Sequence, residues 1–159
     1  MTQPALPGPP ALADGLFRLD AEGLTLLGGR SASKGLSHFP RQPVCPFTGA
    51  DDVEAVDLPR TGRLWGWTAV TAAPPGYSGP IPYGLGVVEL DDGLRVVGRI
   101  TVAEVHDLDR LGVGAPMRVV ADVVPGDDGR PRTVWAFAPV TTTTDAAVDV
   151  AAAAPGDAS

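Results

Sequence analysis

Residues 63–101, RLWGWTAVTAAPPGYSGPIPYGLGVVELDDGLRVVGRIT, decide how this chain folds. Runs rich in Val, Ile, Trp and Thr fill 63–72, 83–91 and 94–101. Such side chains suit a pleated, half-buried surface, so each run is read as a strand. Asp91-Asp92-Gly93 separates the last two runs, and Asp-Gly is a strong tight-hairpin signal. The first two are separated by a loop, APPGYSGPIPY, stiffened by Pro74, Pro75, Pro80 and Pro82 and presenting Tyr77 and Tyr83. Prolines lower the entropy lost when a loop is held in one shape, so this loop is either a preformed binding wall or a rigid connector.

Working outward, MRVVADVV (117–124) and RTVWAFAPV (132–140) are two more strands, joined by Asp127-Asp128-Gly129. The link 102–116 contains AEVHDLDRL, enough for about two helical turns. VEAVDL (53–58) adds a strand signal in front of the long run at 63–72. Five strands, a long first strand, a helical turn between the third and fourth, and a closing hairpin describe an OB-fold barrel. The expected class is all-β, with the OB-fold over 53–140.

Upstream, 24–52 has short apolar pieces separated by Gly and Pro and no 3.6-residue period. It has the rhythm of a small rubredoxin-like zinc ribbon. Ribbon spacing would place ligands at Ser31, Lys34, Cys45 and Thr48. Structural zinc takes four Cys or His ligands in a tetrahedron, so one thiolate among Ser, Lys and Thr argues for a ribbon that has lost its metal. His38 or Asp51 beside Cys45 is a weaker alternative set. Cys45 itself reads as a small buried apolar residue rather than a nucleophile. Residues 1–23 are a lead-in, flexible to about 13, and the low-complexity stretch 141–159 is expected to be disordered.

Composition narrows the function classes. Gly (20) and Pro (17) leave little room for long helices in 159 residues. Twelve Lys and Arg against 19 Asp and Glu give a net charge of −7, with Lys34 the sole lysine. Nucleic acid and anionic membranes need cations in clusters, so both are poor partners for this chain. A single cysteine excludes an internal disulfide. The start MTQPALPGPPALADG has neither the basic nor the apolar part of a secretory leader, and no apolar run is long enough for a membrane span. A cytoplasmic location is the expectation.

Familiar catalytic patterns fail on spacing. Gly76-Tyr77-Ser78-Gly79 brings its second glycine one residue too early for a nucleophile elbow. Gly84-Leu85-Gly86 lies inside a strand run and opens no helix, and Gly112-Val113-Gly114 precedes a strand, so neither is a dinucleotide fingerprint. Ser78, His106 and Asp109 form a triad only on paper. Glu89, Asp91 and Asp92 read as a solvated turn. Trp65 and Trp67, two apart, are expected on one strand face as barrel core or as a cover over the ribbon. Arg95 and Arg99 also share a face, as outward charges or as contacts for phosphate.

The runs LLGGRSASKGLSHFPRQPVCPFTG, GRLWGWTAVTAAPPGYSGPIPYGLGVVELDDGLRVVGRI and LGVGAPMRVVADVV together resemble the zinc-ribbon/OB-fold family of acyl-CoA-associated proteins, domain-of-unknown-function family 35. The resemblance covers roughly 24–138. It implies a non-catalytic accessory subunit of a thiolase, aldolase or ketosynthase-like enzyme, one that helps hold or pass a CoA thioester. By position it implies that Tyr77, Pro80 and Tyr83 line a ligand or partner surface, with Arg95 and Arg99 as further candidates. The family's four cysteines are absent, so zinc is not implied and no cofactor is expected. The ribbon would then keep its shape through packing of Leu36, Phe39, Val44 and Phe47. A free-standing acyl-CoA or acyl-chain binder is the alternative, and a single-stranded nucleic-acid binder of OB type comes behind both.

Overall fold

The computed structural model describes residues 8–141. The flexible start expected for 1–7 and the tail expected beyond 141 lie outside the described residues. The chain is all-β, with nine strands and one short 3-10 helix among the described residues. Five strands close into a barrel: β5 (Thr61–Val70), β6 (Tyr83–Leu90), β7 (Arg95–Ile100), β8 (Pro116–Pro125) and β9 (Pro131–Pro139). Their order around the barrel is β5-β6-β7-β9-β8, antiparallel except for the parallel β7–β9 pair. That order and the crossing after the third strand are the OB-fold. Both Asp-Gly turns form as read, with Gly93 and Gly129 at φ +86° and +74°.

A smaller sheet precedes the barrel. β2 (Gly23–Ser31) is its centre and pairs with β1 (Phe17–Asp20), β3 (Ser37–His38) and β4 (Val53–Asp57). The strand read at 53–58 therefore forms, but it joins β2 rather than the barrel. Leu24 and Leu26 of β2 and Leu58 enter the same buried cluster as Leu64, Val88, Met117 and Phe137 of the barrel. The sheet and barrel share one core, and burial of these side chains at about 25 cal/mol per Å² is what holds the two together.

Two expectations for the early chain are corrected. β1 lies within the lead-in, because Phe17 and Leu19 pack against the core and Arg18 makes a two-pronged ion pair with Asp57. The described part of the flexible stretch is also tied down. Thr133 donates its N–H to Pro10 and its hydroxyl to Pro9, and accepts from Leu12 N–H. An extended Pro-rich strap thus lies along β9, where main-chain pairing fixes it without any apolar periodicity.

The barrel interior explains the glycines of β6. Its burial alternates strictly, with Gly84, Gly86, Val88 and Leu90 facing in. A Cβ on Gly84 would sit 2.9 Å from the Ile100 carbonyl and from the Leu108 side chain. Leu108 comes from the 3-10 helix Val105–Arg110 and is buried as a plug at that end. The link expected to hold about two helical turns is thus a 3-10 helix, closed by a reciprocal capping box of Glu104 and Asp107.

The tryptophans do not share a face. β5 has a bulge between Leu64 and Gly66, with Trp65 as the extra residue. A bulge shifts the in-out alternation by one. Trp65 is therefore 53% exposed, whereas Trp67 packs on the core and donates its indole N–H to the Leu111 carbonyl at 3.2 Å.

Candidate functional site

The outer faces of β6 and β7 carry most of the residues singled out from the sequence. Register places Leu85 opposite Arg99, Val87 opposite Val97 and Glu89 opposite Arg95. The Pro/Tyr loop rises on one side and the β8–β9 hairpin on the other. Between them lies an open groove of about 440 Å³ lined by Tyr77, Tyr83, Leu85, Val97, Arg99, Val124 and Trp135, with Leu12 of the strap at its edge. This is the face on which OB-folds take ligands: second and third strands, flanked by the loops after the first and fourth.

Arg99 organises the loop side. Its Nε donates to Asp122 at 2.8 Å, its guanidinium lies 4.3 Å from the Tyr83 ring centre, and its Nη1 donates to the Tyr77 hydroxyl at 3.3 Å. The Tyr77 hydroxyl in turn donates to the Pro80 carbonyl at 3.2 Å, and the two tyrosine rings stand 5.2 Å apart. Tyr77, Pro80, Tyr83 and Arg99 are thus brought together. The charge of Arg99 is neutralised within the cluster, which leaves the groove apolar and aromatic in character. Its other wall is fixed by Trp135, whose indole N–H donates to the Val97 carbonyl at 3.0 Å.

Arg95 lies elsewhere on the same strand face. It pairs with Glu89 at 2.9 Å and stacks 4.3 Å over Trp65. The shared parity with Arg99 is correct, but the two arginines serve different neighbourhoods.

Asp122, Trp135 and Leu12 were not found from the sequence. Asp122 had a signal, since it is the one acidic residue inside MRVVADVV. Trp135 had only its residue type. Leu12 had none, because the strap has no apolar period. The paper triad does not assemble: no hydrogen bond joins Ser78, His106 and Asp109 among the described residues, and His106 instead lies 3.8 Å from Asp107.

The second neighbourhood is the pair of turns around Cys45. Gly35 N–H donates to the Ser31 carbonyl at 2.7 Å and Gly49 N–H to the Cys45 carbonyl at 2.9 Å. The two turns have one design, each closing on a glycine at positive φ (+66° and +74°). Ser31 and Cys45 are buried, whereas Lys34 and Thr48 are exposed. The Thr48 hydroxyl first, then the main-chain N–H groups of Phe47 and Thr48, favour the thiolate form of Cys45. Together they outweigh burial and hold the thiol below its ordinary value. Ser31 Oγ also donates to the Asp52 carboxylate at 3.1 Å, and Ser33 N–H donates to the same carboxylate at 2.8 Å. These donations, with the Ser33 side chain the largest contribution, hold the Asp52 carboxyl below its usual range.

These residues do not fit zinc. They offer one sulfur, two hydroxyls and an ammonium where a tetrahedral site takes four Cys or His ligands. Among the described residues no group of three or more His, Cys, Asp or Glu could hold a metal ion. Nor does apolar packing close the turns. Leu36 (49%), Val44 (43%) and Phe47 (59%) are exposed, and only Phe39 packs inward, edge-on to Trp135 at 5.3 Å between ring centres. That expectation overlooked how little of a two-turn unit faces the barrel.

No helix among the described residues is long and apolar enough to cross a membrane. Comparison with known proteins gives a consistent picture. Residues 55–122 match the family profile of the ChsH2 C-terminal OB-fold domain. A "DUF35 domain-containing scaffold protein" of Pyrococcus furiosus is 30% identical over 101 residues, 64% of this chain and 74% of the relative. One of the same description from Methanocaldococcus jannaschii is 27% identical over 117 residues, 72% of this chain and 82% of the relative. A solved chain named "Ltp2-ChsH2(DUF35) aldolase" superposes with a TM-score of 0.53 at 28% identity, covering 72% of this chain and 84% of that one.

Proposed function

This chain belongs to the DUF35 family, and on that premise we propose that it is a non-catalytic accessory subunit that scaffolds a thiolase-superfamily enzyme and assists its handling of acyl-CoA. The names of the two relatives, which call them scaffold proteins, support the scaffold half. The name of the solved neighbour, which joins ChsH2(DUF35) to an Ltp2 aldolase, supports the choice of partner class. We take 24–52, with β4 added to it by pairing with β2, as the degenerate ribbon of the subunit and the barrel β5–β9 as its OB unit.

The observation that carries the proposal is the surface of the two turns. Leu36, Val44 and Phe47 are exposed side by side in sequence with Arg30, Lys34 and Arg41. None of these three cations is ion-paired among the described residues, whereas most arginines of the strands and hairpins are. Exposed apolar side chains that share one chain segment with unpaired cations suit a docking surface for a partner better than a solvated face. The groove at Tyr77, Tyr83 and Arg99 then serves the acyl-CoA. With an internally neutralised arginine and aromatic walls, it suits the acyl or pantetheine part better than the phosphates.

The groove also favours the second reading, a free-standing acyl-CoA or acyl-chain binder. Titration of the purified chain alone with octanoyl-CoA separates the two. An accessory subunit supplies one wall of a shared site, so no saturation is expected in the micromolar range. One-to-one saturable binding by the chain alone would overturn the accessory proposal in favour of the second reading.

A further inference from the structure

We infer that the turns at 31–35 and 45–49 are a metal-site frame that folds without metal, its ligands replaced by a hydrogen-bond network centred on Asp52. The frame is recognisable from its main chain. Each turn spans five residues, returns the glycine N–H to the first carbonyl, and places that glycine at positive φ. Positions 31, 34, 45 and 48 then have the two-residue gaps of a paired-knuckle zinc site. In such knuckles main-chain N–H groups point at the ligand sulfur and offset its negative charge.

Here the first turn has a serine where that sulfur would be, and an anion is supplied from outside. Lys34 N–H donates to Ser31 Oγ at 3.3 Å. Ser31 Oγ donates to Asp52, at 3.1 and 3.2 Å from the two carboxylate oxygens. Ser33 N–H and the Ser33 hydroxyl complete the cluster, the former 2.8 Å from Asp52 and the latter 3.2 Å from Ser31 Oγ. The Asp52 carbonyl also accepts from Ala32 N–H at 3.0 Å. One residue thus pins the whole first turn with both its side chain and its main chain. The second turn keeps its sulfur and is closed by its main chain, Cys45 N–H donating to the Ala50 carbonyl at 2.8 Å and Gly49 N–H to the Cys45 carbonyl at 2.9 Å. Leu36, Val44 and Phe47 stay exposed, so apolar packing does not replace this network.

The test has a loss arm and a gain arm, both on the full chain. Wild type should contain far less than one zinc per chain by elemental analysis, and its melting temperature should be the same in EDTA and in equimolar zinc. Asp52→Ala should lower that temperature by about 5 °C, with Asp51→Ala, an exposed neighbour, as the unchanged control. The triple variant Ser31→Cys, Lys34→Cys, Thr48→Cys should bind about one zinc per chain and give the absorption of tetrahedral cobalt–thiolate when loaded with cobalt. Its melting temperature should rise with zinc and no longer depend on Asp52. Stoichiometric zinc in wild type, an Asp52→Ala variant as stable as wild type, or a folded triple variant that ignores zinc and cobalt would each overturn the inference. If the triple variant does not fold even with zinc present, the frame is not a metal frame and the inference fails as well.

Discussion

Replacing Arg99 by Ala should cost far more than replacing Arg95, although both lie on the outer face of β7. Arg99 and Asp122 are 20% and 24% exposed, and their 2.8 Å bond is charge-assisted. At that burial the bond is worth about 1.5 kcal/mol, the low end for bonds to charged groups. Stacking on Tyr83 adds about 0.5–1 kcal/mol, and the longer bond to Tyr77 about 0.5. The sum is about 2.5–3 kcal/mol, or a melting temperature lower by roughly 10 °C for a chain of this size. Arg95 has the same two kinds of partner, Glu89 and Trp65, but its ion pair is 52% and 42% exposed. Solvent screening reduces its loss to about 0.5–1 kcal/mol, roughly 2–3 °C. The assay is thermal and urea unfolding followed by circular dichroism on Arg99→Ala, Arg95→Ala and Asp122→Ala, with the Arg99/Asp122 double variant closing the cycle. Equal losses at Arg95 and Arg99, or a coupling of zero between Arg99 and Asp122, would refute the burial argument and the view that Arg99 holds the Pro/Tyr loop on the barrel.

The barrel interior, the strap and the acid limb of stability give three further outcomes. Gly84→Ala puts a methyl against the Ile100 carbonyl and the Leu108 plug, and should destabilise by about 1–3 kcal/mol in urea unfolding. Thr133→Val keeps the shape but loses the hydroxyl bond to the Pro9 carbonyl, and should cost about 1 kcal/mol while speeding amide exchange at Leu12. Asp57 and Asp52 both titrate below the usual carboxylate range, the first mainly through its hydrogen bonds from Arg18, the second mainly through Ser33. A carboxyl depressed in the folded state stabilises above its unfolded value of about 3.9 and loses that contribution as pH falls through the folded value. The melting temperature should therefore be level from about pH 5 to 7 and fall below about pH 4, and Asp57→Asn should fall less steeply over that acid range.

The barrel was legible because its signals are local. β-branched runs, two Asp-Gly turns and the position of the helical link fix strand order without long-range information. Tyr77, Pro80 and Tyr83 were singled out together through the resemblance of their loop, whereas Arg99 was read with Arg95, and its contacts to Tyr77 and Tyr83 were not legible. The partner of Arg99 was not legible either, since Asp122 reaches it from β8 over the intervening β9, a contact no spacing rule exposes. The parity of Trp65 and Trp67 failed for a different reason. A bulge changes the in-out count by one, and Gly66 was its only sequence mark. The strap at Pro9–Leu12 is held by main-chain bonds to Thr133, which carry no side-chain signature. At the two turns, the single thiol of Cys45 against Ser31, Lys34 and Thr48 was plain from the sequence. The contacts of Asp52 to Ser31 and Ser33 were not, because they depend on where β4 enters after the second turn.

The most direct measurement of the central claim is affinity purification of the tagged full chain from its native host under gentle lysis, with native mass spectrometry of the eluate. The account predicts a discrete complex containing a thiolase-superfamily enzyme in whole-number ratio to this chain, lost when Phe47 is replaced by Asp and kept when Val140 is. A chain that elutes alone at 16.3 kDa, or with that enzyme in equal yield from wild type and Phe47→Asp, would contradict it.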